Sequence, residues 1–246
     1  VPTDEKGYEL AYKEKNWYSF VSKKGFHNIP EVLFYDPLRL KRISGKHPFE
    51  MKPNPKVFEN IVNALIELHN LGSVKVDRLS LDKEYFIKTY ERLHQVKNLI
   101  PHVENEEIKV NGETCPNPFY LMDEVEKALK EIYPEEFTII HGDPTFSNTM
   151  VDDNGNVYFI DPRGYFGYTL IYGDPDYDFA KLYYSMVGNY DRFNRKRFTL
   201  KIFENDVDLD IESSGYEKFE DIFFEMIGNS KRDKIKLLHA IIWLSL

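Results

Sequence analysis

One short segment limits the fold of this chain more than any other. Asp153-Asn154-Gly155-Asn156 separates the apolar runs Thr149–Val151 and Val157–Ile160. An Asn-Gly pair in that setting is the strongest short-range signal for a β-hairpin, because the tight turn needs positive φ at its central residues. The turn brings the two ends of the hairpin, Asn148 and Asp161, side by side. Just upstream, Phe137–Ile140 is a β-like run that leads into His141-Gly142-Asp143.

Helical patterns surround this centre. A helix is expected over 8–24, and Asn54-Pro55 opens a clearer one through Phe58, Ile61, Val62, Leu65, Ile66 and Leu68, closed by Gly72. Further helical spacing runs through Phe86–Val96, Leu121–Ile132, Phe179–Val187 and Phe219–Ile227, and again from Ser230, where Ser230 and Asp233 are spaced as a capping box. Ile29–Asp36 and Leu38–Ile43 read as two strands turning at Asp36-Pro37, and Phe198–Phe203 with Val207–Ile211 as a further hairpin. Residues 102–118 are polar and read as a loop, and 164–175 as a loop rich in Gly and Tyr. There is no internal repeat.

Charge and cysteine content narrow the function. With 32 Lys and Arg against 41 Asp and Glu, the net charge is −9. That argues against nonspecific nucleic-acid binding, which depends on cations neutralising phosphates. Cys115 is the only cysteine, so an internal disulfide and a cysteine zinc cage are excluded, which fits a reducing cytoplasm. No apolar run reaches the ~18 residues of a membrane span, and no secretory leader opens the sequence. The chain starts at Val1 without a methionine and ends at Leu246 inside an apolar pattern that lacks a C-cap. The expectation is a piece of a longer polypeptide, with a fused upstream domain left open.

The chemistry-bearing residues lie in three segments. His141-Gly142-Asp143-Pro144-Thr145-Phe146-Ser147-Asn148 sits on a loop after a strand, Ile160-Asp161-Pro162-Arg163-Gly164 leaves the hairpin, and Gly173-Asp174-Pro175-Asp176-Tyr177-Asp178 enters a helix. The hairpin makes the Asn148 amide oxygen and the Asp161 carboxylate converge, and hard oxygen ligands of this kind suit Mg²⁺. Asp143 starts the same loop, close enough to orient or deprotonate a hydroxyl beside that metal. Phosphoryl transfer needs this combination of charge neutralisation and a positioned nucleophile. Arg163 could neutralise a transferred phosphate, grip a substrate, or pair with Asp174 or Asp176. Any single Asp here is more often a turn or cap residue, and Asp178 at a helix start could be an N-cap. The coincidence of the three segments changes that weighting.

The pattern H-G-D-x-x-x-x-N, then I-D-x-x-G, then G-D-P-x-x-D-x-A resembles the aminoglycoside phosphotransferase/choline kinase superfamily. The resemblance implies an α+β, protein-kinase-like two-lobe fold: an incomplete N-lobe over 1–48, a helix plus β-hairpin, and a mostly helical C-lobe over 49–246. It makes Asp143 the catalytic base and Asn148 and Asp161 the Mg²⁺ ligands, with ATP or GTP as donor. Asp178 would hold the catalytic loop, and His141 would pack and orient. Glu14 looks like the helix glutamate that pairs with a phosphate-gripping lysine, although no such lysine is evident and Lys6 fits poorly. With Arg163 it is the expected nucleotide-side pair. Asp174 and Asp176 are candidate substrate contacts.

Gly142 stands where protein kinases carry an arginine, and Asp161 and Asp176 lie only 15 positions apart, which leaves little platform for a polypeptide. The expected acceptor is therefore a small hydroxylated molecule: first a sugar, including cell-envelope or capsule sugars, then choline or ethanolamine, then an aminoglycoside. The alternatives are a pseudokinase that binds nucleotide without turnover and, less well supported, a metal-dependent phosphohydrolase.

Overall fold

The computed structural model of the chain describes residues 2–204 and 206–246. Its helices are α1 (Glu5–Lys23), α2 (Pro55–His69), α3 (Arg78–Asp82), α4 (Lys88–Val96), α5 (Pro118–Glu131), α6 (Pro175–Met186), α7 (Tyr190–Asn194), α8 (Glu220–Ile227) and α9 (Arg232–Leu244). A π-helical turn, Lys83–Ile87, joins α3 to α4. The strands are short. They are β1 (Val32–Tyr35), β2 (Leu38–Leu40), β3 (Gly45–Lys46), β4 (Ser73–Lys75), β5 (Glu107–Val110), β6 (Glu113–Pro116), β7 (Glu136–Ile139), β8 (Thr149–Asp152), β9 (Val157–Phe159), β10 (Tyr165–Phe166), β11 (Thr169–Leu170), β12 (Tyr172–Gly173), β13 (Phe198–Ile202) and β14 (Asp206–Ile211).

The expected hairpin is β8–β9, antiparallel, with Gly155 at φ +82° and the Asp152 carboxylate accepting from the amides of Asn154 and Asn156 at 2.9 Å each. β3 adds to its outer edge, giving the order β3-β8-β9. β7 is the middle strand of a second sheet, β12-β7-β4, antiparallel to both neighbours. α2 forms as its sequence directs: Asn54 Oδ1 accepts from the amides of Lys56 and Val57, and Phe58, Ile61, Val62, Leu65 and Leu68 are buried along one stripe. Trp17, Tyr18 and Val21 of α1 join the same core as the residues of α2, α6 and the hairpin, so α1 packs directly onto the remainder.

Three expectations are corrected. Residues 102–118 are not all loop: Asn111 and Gly112, at φ 51° and 79°, turn the chain between β5 and β6. β14 pairs parallel to β5 to give a four-stranded sheet, β13-β14-β5-β6. The polarity that suggested a loop belongs to a sheet whose strands remain largely solvent-facing. The Gly- and Tyr-rich stretch 164–175 likewise contains β10, β11 and β12. Ser230 and Asp233 form no capping box, because residues Asn229–Lys231 make a 3₁₀ turn and Lys231 takes the cap position without a side-chain bond.

α6 is buried almost all round and packs along α9. Within that contact the Trp243 indole N–H donates to His239 Nε2 at 2.8 Å. Indole nitrogen only donates, so His239 is neutral in the fold, and burial pulls its pKa down to about 4. The unfolded chain, with an ordinary histidine pKa near 6.5, binds the proton first, so this stabilisation is present above that pH and is lost as pH falls toward 4. Urea unfolding at pH 7 and pH 4 should show the native protein losing up to about 3 kcal/mol more than His239→Gln. Equal losses would remove His239 from the acid sensitivity.

Candidate active site

β7 runs into the loop that opens at His141, and a single buried carboxylate fixes the loop's first turn. Asp178, fully buried on α6, accepts from the His141 amide at 2.8 Å, the Gly142 amide at 2.7 Å and His69 Nε2 at 3.1 Å. It is thus a loop holder; the N-cap of α6 is Asp174, whose side chain accepts from the Asp176 amide. His141 is buried, accepts from the Asp143 amide through Nδ1 at 3.2 Å and lies 3.1 Å from the Ile160 carbonyl through Nε2. One nitrogen accepting and the other donating defines a neutral imidazole, and burial lowers its pKa accordingly. From the other side, Trp17 of α1 donates its indole N–H to the Ile140 carbonyl at 2.7 Å. Gly142 has φ 86°, and a Cβ there would sit 2.8 Å from Cβ of Arg163, so the close approach of the two loops requires glycine.

The expected constellation comes together. Asn148 donates Nδ2–H to the Asp143 carbonyl at 2.9 Å and to Asp143 Oδ2 at 3.0 Å, while its own carbonyl accepts from the Ile160 amide beside Asp161. Lys181 of α6 sits 3.1 Å from Asp143 Oδ1. Asp161 has φ 55°, an uncommon conformation for any residue but glycine, and its carboxylate is exposed with no ion pair among the described residues. Asp143, Asp161, Glu14 and Arg163 all line one cavity of about 590 Å³. Glu14 is partly buried there; burial first, and then the charge of Asp161, push its carboxyl up. No cation pairs with Glu14 among the described residues, so the lysine partner expected for it is not seen.

Mg²⁺ fits this donor set. Asp161 and the amide oxygen of Asn148 are hard ligands, and the Asn148 oxygen accepts no hydrogen bond among the described residues. The two neighbouring carboxylates, Glu14 and Asp161, repel one another until a cation intervenes. Among the described residues no cluster of three or more His, Cys, Asp or Glu makes a closed cage. Mg²⁺ ordinarily needs only one or two protein carboxylates, with phosphates and water completing its shell.

Arg163 pairs with neither Asp174 nor Asp176. Its guanidinium forks onto Glu84, NH1 to Oε1 at 2.6 Å and NH2 to Oε2 at 3.1 Å, and Lys88 pairs with the same carboxylate. Burial alone would raise the Glu84 carboxyl, but Arg163 and Lys88 override it and hold it at about 2. Asp174 and Asp176, expected as candidate substrate contacts, are buried and do not line the cavity. Lys234 lies 3.0 Å from Asp174 and 2.7 Å from Asp176, and Lys231 lies 2.5 Å from Asp176. Sequence reasoning missed Trp17, His69, Glu84, Lys88 and Lys181. The i,i+4 spacing of Glu84 and Lys88 was an available signal; the pairing of Lys181 with Asp143 is not local, and the contacts of Trp17 and His69 span more than 100 positions and left none.

A family model described as the phosphotransferase enzyme family (APH) matches residues 2–200. Among solved structures, the fold is similar to a choline/ethanolamine kinase family protein from Mesorhizobium loti. The TM-score is 0.54 at 18% identity, covering 96% of this chain and 67% of that one. It is also similar to a glucosamine kinase, with a TM-score of 0.54 at 12% identity, covering 93% of this chain and 63% of that one. The chain therefore spans about two thirds of the length of these structures, and at such identities the likeness shows the fold. No curated protein matches the sequence.

Proposed function

The chain belongs to the phosphotransferase enzyme family, and from that premise we propose that it moves the terminal phosphoryl group of Mg²⁺-bound ATP or GTP onto a hydroxyl of a small, sugar-type molecule. The observation that carries this reading is the meeting of Asp143 and Asp161 at one cavity, with Asn148 bonded to Asp143 behind them on a loop fixed by Asp178. Asp143 accepts the hydroxyl proton as the acceptor oxygen bonds to phosphorus. The bond from phosphorus to the bridging oxygen breaks, and its electron pair leaves with the nucleoside diphosphate. Asn148 and Asp161 would hold Mg²⁺, whose charge would offset that of the phosphoryl group. Asn148 also fixes the Asp143 carboxylate by its 3.0 Å bond, and Lys181 holds the other oxygen.

The sugar-type reading draws on the cavity's size and polarity and on the glucosamine kinase among the similar structures. Thermal-shift titration with ATP or GTP, with and without Mg²⁺, tests the donor half. Ligand at 100 times its dissociation constant adds about 2.7 kcal/mol. For a protein of this size that raises Tm by roughly 5–10 °C. The rise should need Mg²⁺ and should vanish in Asp161→Asn. A rise that survives in the variant would move the metal elsewhere, and no rise with either nucleotide would overturn the donor assignment.

A further inference from the structure

Charge is distributed unevenly around the cavity. Four cations line it, Lys88, Arg92, Arg163 and Lys181, in a chain whose net charge is −9. Lys181 is matched by Asp143. Lys88 and Arg163 share the single carboxylate of Glu84, so one of those two positive charges has no counterpart. Arg92, one turn beyond Lys88 on α4, donates to the Ser245 backbone carbonyl and pairs with no carboxylate among the described residues. Two positive charges are thus left over. The remaining acidic residues of the cavity, Glu14 and Asp161, repel each other and are where a metal would sit.

We propose that the acceptor is an anion: a hydroxylated small molecule bearing a carboxylate or phosphate, held by Arg92 and Lys88 while its hydroxyl meets Asp143. This rests on the phosphotransferase reading above and specifies its second substrate. The Lys88 ammonium supports it. Burial pulls its pKa down, Glu84 pulls it up, and Arg163 and Lys181 pull it down again, leaving it at about 8. Burial is the main cause of that depression and the like charges of Arg163 and Lys181 add to it; an incoming anion beside the ammonium offsets both. Choline or an ammonium sugar would place a further positive charge beside Lys88, Arg92 and Arg163, where like charges disfavour it. Arg92 matches a carboxylate or phosphate better than a lysine would, because its planar fork can donate two parallel bonds.

The test is binding calorimetry without nucleotide, using gluconate, glucose 6-phosphate, glucose and glucosamine as probes. At least one of the two anions should bind about tenfold more tightly than glucose, and glucosamine no better than glucose. Comparing gluconate with glucose 6-phosphate separates a carboxylate site from a phosphate site. Arg92→Gln and Lys88→Met should each weaken the preferred anion by about fivefold or more, with Mg-ADP affinity unchanged. Added KCl should weaken the anion on the unmodified protein, a reading that needs no variant. Tighter glucosamine, no measurable binding of either anion, or expulsion of the anion by Mg-ADP would overturn the proposal; the last places these cations in the donor site. Anion binding in a protein that shows no Mg-nucleotide shift would keep the anion site and remove its role as acceptor together with the phosphotransferase reading.

Discussion

Asp143→Asn should lower kcat by about 10²–10⁴-fold, the range a positioned general base supplies, and leave the Mg-nucleotide thermal shift intact. The asparagine keeps the shape of the side chain, and its carbonyl oxygen can still accept from Asn148 Nδ2, as Asp143 Oδ2 does at 3.0 Å. What it loses is the capacity to take a proton and the ion pair with Lys181. A fall in kcat with an unchanged nucleotide dissociation constant is the signature of a group that acts only as the hydroxyl reacts. Rapid-quench measurement of phosphoryl transfer alongside nucleotide binding separates the two quantities. If kcat stays within a factor of a few, the proton has another destination and Asp143 is only a scaffold for Asn148.

Asp178→Ala should cost about 3–5 kcal/mol, because removing one partner from a buried charged network leaves the others uncompensated. Here the abandoned groups are the amides of His141 and Gly142 and the ring of His69, all buried. At about 2–4 °C per kcal/mol this corresponds to a Tm lower by roughly 6–20 °C. The loop carrying Asp143 loses its anchor in the same step, so kcat should fall even at temperatures where the variant is folded. Asp178→Asn should be milder, since its carbonyl can satisfy one of the two amides. A variant with near-native Tm and near-native kcat would show that Trp17 and the Ile160 carbonyl suffice to hold His141.

Much of the site was legible because its chemistry is local. The Asn154-Gly155 turn is a two-residue signal, and it fixes the neighbourhood of Asn148 and Asp161 whatever the remainder of the chain does. Asp143 and Asn148 lie five positions apart, within reach of one loop. The surroundings of the site were not legible in this way. Arg163 faces carboxylates at Asp174 and Asp176 in the nearby sequence, yet it pairs with Glu84, 79 positions upstream, and the nearby acids are claimed by Lys231 and Lys234. Which cation finds which anion is decided by packing α6 against α9, and no local rule contains that information. β5 and β6 were hidden for a different reason: their alternation is weak because the sheet buries little, so polarity outweighed the Asn111-Gly112 turn.

The two lysines on α9 bear on how the protein is made. Every motif of the site has been synthesised by residue 178, but at that point Asp174 and Asp176 are two carboxylates destined for a buried position without a counter-charge. Lys231 and Lys234 arrive more than 50 residues later, together with the apolar face Ile235, Leu238, Ile241 and Ile242 that covers α6. Until then, closing the core around α6 would strand those acids in a low-dielectric interior. A chain ending before α9 would therefore lack both the counter-charges and the apolar cover that α6 has in the fold.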